Sequence, residues 1–312
     1  MAATASKGII QMLKYLIIFN ILLPGTLALP AHAALNIFAC EPEWAALAQE
    51  LAGDKASIYA ATNALQDPHH VEARPSLIAK ARRAQLLVCT GAELEAGWLP
   101  VVQRESANPD IAEGKPGYFE AAHHVQMLEV PGRLDRAAGD VHAAGNPHIQ
   151  LDARNYLPIA DALSARIGQL DPANAAYYSK RLQDFRQNWQ AALKRWEALA
   201  APLKGQAVLV QHRAYPYLTN WLGLKQVAEL EAKPGMEPSA AHLAQVLAQL
   251  QSSPARMVIR SAYQDAKPSA WIAQRAGLNA VELPFSVGGT AAAKDLYGLF
   301  DDTIARLLAG LK

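Results

Sequence analysis

Cysteine is scarce in this chain, with two residues in 312. That excludes a disulfide-stapled scaffold and any four-cysteine zinc site. Charge is sparse as well: 18% of residues are charged, and 29 basic side chains stand against 28 acidic ones. The net charge of +1 gives no surplus to neutralise phosphates, which argues against a nucleic-acid binder. The zinc-protease pattern H-E-x-x-H, the nucleophile elbow G-x-S-x-G and the phosphate loop G-x-x-x-x-G-K-S/T are all absent. What the chain does have is apolar surface. Hydrophobic residues make up 51% of it, enough to offset the entropy of ordering and to exclude a disordered protein. The length suits one large domain or two medium ones.

The one long apolar run lies at the start. Lys7 and Lys14 precede or open a stretch from Tyr15 to Leu29, interrupted by Asn20, Pro24 and Gly25. Ala31-His32-Ala33 then fits the small-x-small pattern of signal cleavage, so residues 1–33 are expected to be a signal peptide. A membrane anchor is the alternative, but the run is short for a bilayer span and Pro24 breaks it. Cys40 lies too far on for a lipoprotein site. Residues 34–312 lose two Lys and no acid, which leaves 27 basic against 28 acidic side chains and a net charge of −1. An exported, soluble, periplasmic protein is expected, in a compartment that permits a disulfide.

Strand and helix patterns alternate on both sides of a helical middle. Strands are expected at Leu35–Cys40, Ala56–Ala61 and Ala84–Thr90, with helices at Glu43–Ala52 and Pro75–Arg83. Residues 104–147 are rich in Gly, Pro and His, with one strand expected near Val125–Leu128. Tyr156–Leu170 reads as a helix, and a second helix runs from Asp171-Pro172 to about Ala201. On it Tyr177, Leu182, Phe185, Trp189, Leu193, Trp196 and Leu199 recur at mostly three- and four-residue steps and define one face. At ~1.5 Å per residue this helix is about 43 Å long, enough to cross a small domain. Pro202 and Gly205 end it. Strands are then expected at Ala207–Gln211, Val227–Glu229, Met257–Ile259 and Ala280–Leu283. Helices are expected at Ala214–Leu222, Ala240–Leu250, Ser269–Ala276 and Lys294–Leu308. The fold class is α/β: two α/β sandwich lobes with parallel sheets joined by one long bridging α-helix. The expected division is 34–155, 156–202 and 203–312, with a cleft between the lobes where ligands are favoured.

Three histidines fall where strands leave their sheets or loops open onto helices. His69 is in Asp67-Pro68-His69-His70-Val71-Glu72, His148 in Gly145-Asn146-Pro147-His148, and His212 in Val210-Gln211-His212. Open α/β sheets bind ligands at the carboxyl ends of their strands. Three neutral imidazoles suit a borderline cation such as Zn²⁺ and leave a fourth position open. Any one loop histidine is ordinarily solvated or a backbone cap, so spacing alone leaves the site plausible and unproven.

Asp67-Pro68-His69-His70-Val71-Glu72-Ala73-Arg74-Pro75-Ser76 resembles the DPHxYExxPS signature of the cluster A-I, TroA-like or ZnuA-like, solute-binding proteins of metal ABC importers, with Val71 in place of Tyr. Residues 145–152 are similar to the family's DPHxWLDP segment, with Asn146 and Gln150 as departures. Gln211-His212-Arg213-Ala214-Tyr215-Pro216-Tyr217-Leu218 resembles its H-x-A-F-x-Y-F segment, and Glu237-Pro238-Ser239 matches its EPS. The similarity runs from about Leu35 to the C-terminus, in the family's order.

The resemblance implies His69, His148 and His212 as metal ligands, His70 as a rim residue, and Glu72 as a residue that holds the loop. A histidine at 212 implies zinc, with manganese less favoured. The family often supplies an Asp after its last strand, but Val281 to Gly289 contains none. Glu282 alternates with Val281 and Leu283 and is expected to face away from the cleft; Asp265 and Glu231 are other carboxylates in range, and water or an exogenous ligand is preferred in the fourth place. His123, His124 and His142 read as solvated loop residues, with help in metal capture as the alternative. In the family's sheet order the strands ending at Cys40 and Cys89 would be neighbours, leaving a disulfide and packed free thiols equally open.

The expected function is capture of Zn²⁺ as cargo and delivery to the membrane permease of an ABC importer, by a monomer with no catalytic residue. A zinc hydrolase built on the same three histidines is the competing reading, as is the same fold carrying manganese, iron or a metal chelate.

Overall fold

The computed structural model describes residues 34–133, 139 and 141–312; the expected signal peptide lies outside them. The chain begins with strand β1 (Leu35–Ala39), helix α1 (Pro42–Ala52), β2 (Ala56–Ala60), α2 (Pro75–Ala81), β3 (Leu86–Cys89), α3 (Leu99–Ser106) and β4 (Tyr118–Glu120). These four strands form one parallel sheet in the order β2-β1-β3-β4. Two helices follow, α4 (Tyr156–Leu170) and α5 (Ala175–Leu199). The second half then has β5 (Ala207–Val210), α6 (Pro216–Leu222), β6 (Lys225–Glu229), α7 (Ala240–Gln249), β7 (Met257–Ser261), α8 (Ala266–Ala276), β8 (Asn279–Leu283) and α9 (Leu296–Ala309). Its sheet is also parallel and has the equivalent order, β6-β5-β7-β8. Each sheet turns back on itself beside its first strand. Such a switch point opens a crevice at the strands' carboxyl ends.

Side chains alternate between faces along each strand, and the core follows that alternation. Ile37, Ala39, Leu86 and Val88 join Val208, Val210, Met257 and Ile259 in one continuous core packed around α4 and α5. Phe38, Leu87, Cys40 and Cys89 face the opposite side of the first sheet, and Leu209 and Val258 that of the second. The expected fold is therefore present: two α/β lobes share one long helix.

The 25 residues of α5 span about 37 Å at ~1.5 Å per residue. Arg181 on α5 donates to the Glu50 carbonyl in the first lobe, and the Trp196 indole donates to Asp301 in the second. Its buried face is Tyr178, Phe185, Trp189, Ala192, Leu193 and Trp196. This shifts the expected stripe at both ends. Tyr178 replaces Tyr177, whose hydroxyl reaches out to Asp54, and Leu199 is 51% exposed.

Two further expectations are corrected. Val125–Leu128 forms no strand. The place beside β3 is taken by β4, which pairs Tyr118 with Leu87 and Glu120 with Cys89, while the Leu128 amide donates to the Tyr217 hydroxyl. Helix α3, not expected from the sequence, also runs into the 104–147 region. The cysteine question resolves as a disulfide: Cys40–Cys89 is bonded. The parallel register explains it, because Ala39 pairs with Val88 and the next residues are Cys40 and Cys89.

Candidate metal centre

Each candidate histidine is placed by a local device visible in the sequence. At the first, Asp67 Oδ1 accepts the His69 amide at 2.9 Å, so an Asx turn across Pro68 presents the ring. The Asp67 carbonyl accepts the His70 amide at 3.1 Å, and the Trp98 indole donates to the Pro68 carbonyl at 3.1 Å. At the second, Asn146 Oδ1 accepts the His148 amide at 3.1 Å, repeating the Asx-Pro-His turn. The departure from Asp at 146 has a physical reason. The amide nitrogen donates to Glu129 Oε2 at 3.1 Å and to the Arg213 carbonyl at 2.8 Å, which a carboxylate could not do. At the third, His212 stands two residues beyond β5.

The structure brings the three together. All three are buried, and one ligand atom from each lies within 4.8 Å of the others. Ring centroids are separated by 5.4 Å for His69–His148, 6.1 Å for His69–His212 and 5.6 Å for His148–His212. The ring planes are inclined by 85°, 69° and 75°, so the imidazoles form a tripod rather than a stack. His69 Nε2 and His148 Nδ1 are buried without a hydrogen-bond partner. Unsatisfied buried nitrogens are costly in a protein interior and suit a site that takes a cation. Burial holds His69 well below the ordinary histidine range, with His142, His212 and His70 adding to it. His148 is lowered in the same way, by burial and then by His69, His212 and His142. Neutral imidazole, the metal-binding form, is thereby favoured.

His212 is oriented from behind. Its Nδ1 lies 2.8 Å from Glu231 Oε2, and a carboxylate there holds the ring proton on Nδ1 and fixes the direction of the ring. The strands account for the contact. Val210 pairs with Glu229 in parallel register, so the residues two further on lie side by side. Glu231, considered from sequence as a fourth ligand, is thus engaged by His212 and by the Gly235 amide. Asp265 caps α8 through the Lys267 amide, and Glu282 pairs with Arg260. Phe285, in the segment where the family often has Asp, sets its ring edge to face with His148 at 5.4 Å.

The surrounding histidines separate clearly. His70 is exposed at the rim, 6.4 Å from His69 between centroids. Glu72 is exposed, and the described bond at that residue is its carbonyl accepting Arg74; Asp67 holds the loop instead. His123 pairs with Glu120, and His124 stacks on Phe119. His142 is different from the solvated residue expected. Its ring stacks on His69 with centroids 5.2 Å apart, and it lines a cleft of about 610 Å³ with His148 and His212. The available signal was its position six residues before His148.

Two α/β lobes closing on a buried histidine tripod define the class of two-lobed metal-receptor proteins with a helical backbone. A family model described as "ZnuA: Zinc-uptake complex component A periplasmic" matches residues 37–310, and the chain belongs to that family. It is 26% identical over 202 residues to the high-affinity zinc uptake system protein ZnuA of Bacillus subtilis, covering 64% of this chain and 61% of that protein. It is 27% identical over 155 residues to the manganese ABC transporter substrate-binding lipoprotein scaA of Streptococcus gordonii, covering 50% of this chain and 48% of that one. The chain thus spans less than two thirds of either relative's length. Among solved structures, "Crystal structure of ZnuA" superposes with a TM-score of 0.74 at 22% identity, covering 89% of this chain and 100% of that one. A Mn-bound periplasmic metal-binding protein from Candidatus Liberibacter asiaticus gives a TM-score of 0.71 at 14% identity, covering 88% and 99%. These two likenesses concern the fold.

Proposed function

We propose that the protein is the exported substrate-binding component of a metal ABC importer. It captures Zn²⁺ with His69, His148 and His212 in the cleft between a lobe at 34–155 and a lobe at 203–312, and passes it, as a monomer, to a membrane permease. The observation that carries the reading is the buried tripod, with Glu231 fixing the tautomer of His212. Carboxylate behind imidazole raises ligand basicity and fixes ring direction. Among the described residues no helix is long and apolar enough to cross a membrane, which suits a carrier that meets its permease as a separate chain.

Relatives named for zinc and for manganese both occur. The donor set favours zinc, because imidazole nitrogen suits Zn²⁺ while Mn²⁺ prefers carboxylate and water oxygens. The proposal assigns no catalytic residue. Of the carboxylates around the tripod, Glu231 is bonded to His212, Asp67 to the His69 amide and Glu129 to Arg213.

Calorimetric titration of chelator-stripped protein tests this. One tight Zn²⁺ site is expected, lost in His148→Ala and in His212→Ala, with Mn²⁺ binding more weakly. Unchanged stoichiometry in both variants contradicts the assignment.

A further inference from the structure

Three imidazoles leave a tetrahedral cation one ligand short. Among the described residues no carboxylate joins the group formed by His69, His148 and His212. The acids around it are engaged elsewhere. Glu231 holds His212, Asp67 holds the His69 amide, and Glu129 forms a two-pronged pair with Arg213 at 3.0 and 3.1 Å. Glu229 accepts from Gln226 at 2.8 Å and also faces Arg213.

One further nitrogen donor is at hand. The His142 ring lies over His69 at 5.2 Å, nearly parallel to it at 25°, and opens onto the same cleft as His148 and His212.

The backbone on either side holds this ring at the mouth of the site. The His142 carbonyl accepts the Gly145 amide at 3.2 Å and closes a turn, while the Ala143 amide donates to Glu93 at 2.9 Å on the first lobe. Gly145 has φ +107°, and a Cβ there would meet the Leu128 carbonyl oxygen at 2.6 Å. Only glycine fits that bend. Immediately after it, Asn146 is tied to the Arg213 carbonyl on the second lobe. The turn therefore links His142 to His148 by a short path anchored on both sides of the cleft.

We infer that His142 is a fourth metal ligand, which swings from its place against His69 to give the cargo an all-imidazole shell, and that Gly145 is the positioning residue for that movement. Four neutral nitrogens favour Zn²⁺ over the harder Mn²⁺. The inference rests on the function proposed above and deepens it at the same site.

Nitrogen-15 NMR of histidine-labelled, Zn²⁺-loaded full-length mature protein counts the ligated imidazoles through their metal-shifted ring nitrogens. Four are expected in the parent and three in His142→Ala. Chelator competition should show His142→Ala binding one Zn²⁺ at least about tenfold more weakly, the low end of the loss seen when a supporting group at a metal site is removed. Gly145→Ala should weaken binding in the same direction with His142 still present. Three ligated imidazoles in the parent, or an unchanged count and affinity in His142→Ala, overturns the inference while leaving the tripod intact. Absence of metal-shifted signals from His69, His148 and His212 instead overturns the functional proposal beneath it.

Discussion

Asn146 and Arg213 are joined across the cleft by a 2.8 Å hydrogen bond from the Asn146 amide nitrogen to the Arg213 carbonyl. The same side chain uses its oxygen to accept the His148 amide. One residue thus fixes a proposed ligand and tethers the segment that carries another, since Arg213 directly follows His212.

Asn146→Asp keeps the acceptor for His148 but removes both donors and sets a carboxylate against Glu129. Zn²⁺ affinity should fall about 10–100-fold at unchanged stoichiometry, the usual size of a lost supporting contact at a metal site. Competition against a chromophoric chelator measures it. Affinity equal to the parent's would show that the tether does not shape the site.

Glu231→Ala removes the partner of His212 Nδ1 and frees the ring to rotate and change tautomer. The expected loss is again about 10–100-fold, while His212→Ala abolishes tight binding. Glu231→Gln should lie between the parent and the alanine variant, because its amide can still bond the ring but carries no charge. Calorimetry of the three variants side by side gives the order.

Burial pushes the Glu43 carboxyl up to about 7, and the Glu95 carboxyl likewise up to about 7, while Glu41 beside them is raised by burial and by both neighbours. The Glu43 carboxylate also accepts the Ser286 hydroxyl from the other lobe. In the unfolded chain glutamate ionises near 4.5, so between about 4.5 and 7 the folded state keeps protons that the unfolded state has released. This contribution to stability is present below about 4.5 and is lost as pH rises through 7, and for Glu43 it amounts to at most about 3 kcal/mol. Glu43→Gln retains an acceptor for Ser286 without the titration. Its stability relative to the parent should therefore rise between pH 5 and pH 8 in urea unfolding of metal-free protein. A constant difference across that range would contradict the assignment.

The Cys40–Cys89 bond closes a loop of sequence separation 49. On chain-entropy grounds it contributes roughly 4 kcal/mol by restricting the unfolded chain. The double variant Cys40→Ala/Cys89→Ala should lose a substantial part of that in urea unfolding and still bind one Zn²⁺. Full retention of stability would mean that the packed residues, not the cross-link, hold these strands together.

The sheets were legible because short apolar runs such as Leu35–Cys40, Ala84–Thr90 and Ala207–Gln211 alternate with helical stretches, the pattern of a parallel α/β sheet buried on both faces. The candidate triad was suggested by the places of His69, His148 and His212 at strand and loop ends, and was singled out by the resemblance of the segments that carry them to the family's motifs. Other features depend on contacts between distant segments. Val125–Leu128 has a strand-like composition but no free sheet edge, since Tyr118–Glu120 occupies it. Tyr177 and Tyr178 are the same aromatic side chain, and one step along a helix decides which is buried. Glu231 meets His212 only because β5 and β6 pair with Val210 opposite Glu229. His142 reaches His69 through a glycine turn whose direction no local pattern specifies.

The most direct test of the account is a crystal structure of the Zn²⁺-loaded protein with data collected on both sides of the zinc absorption edge. The account predicts one anomalous peak within bonding distance of ring nitrogens of His69, His148 and His212. A peak bound elsewhere, with those three rings uncoordinated, would contradict it.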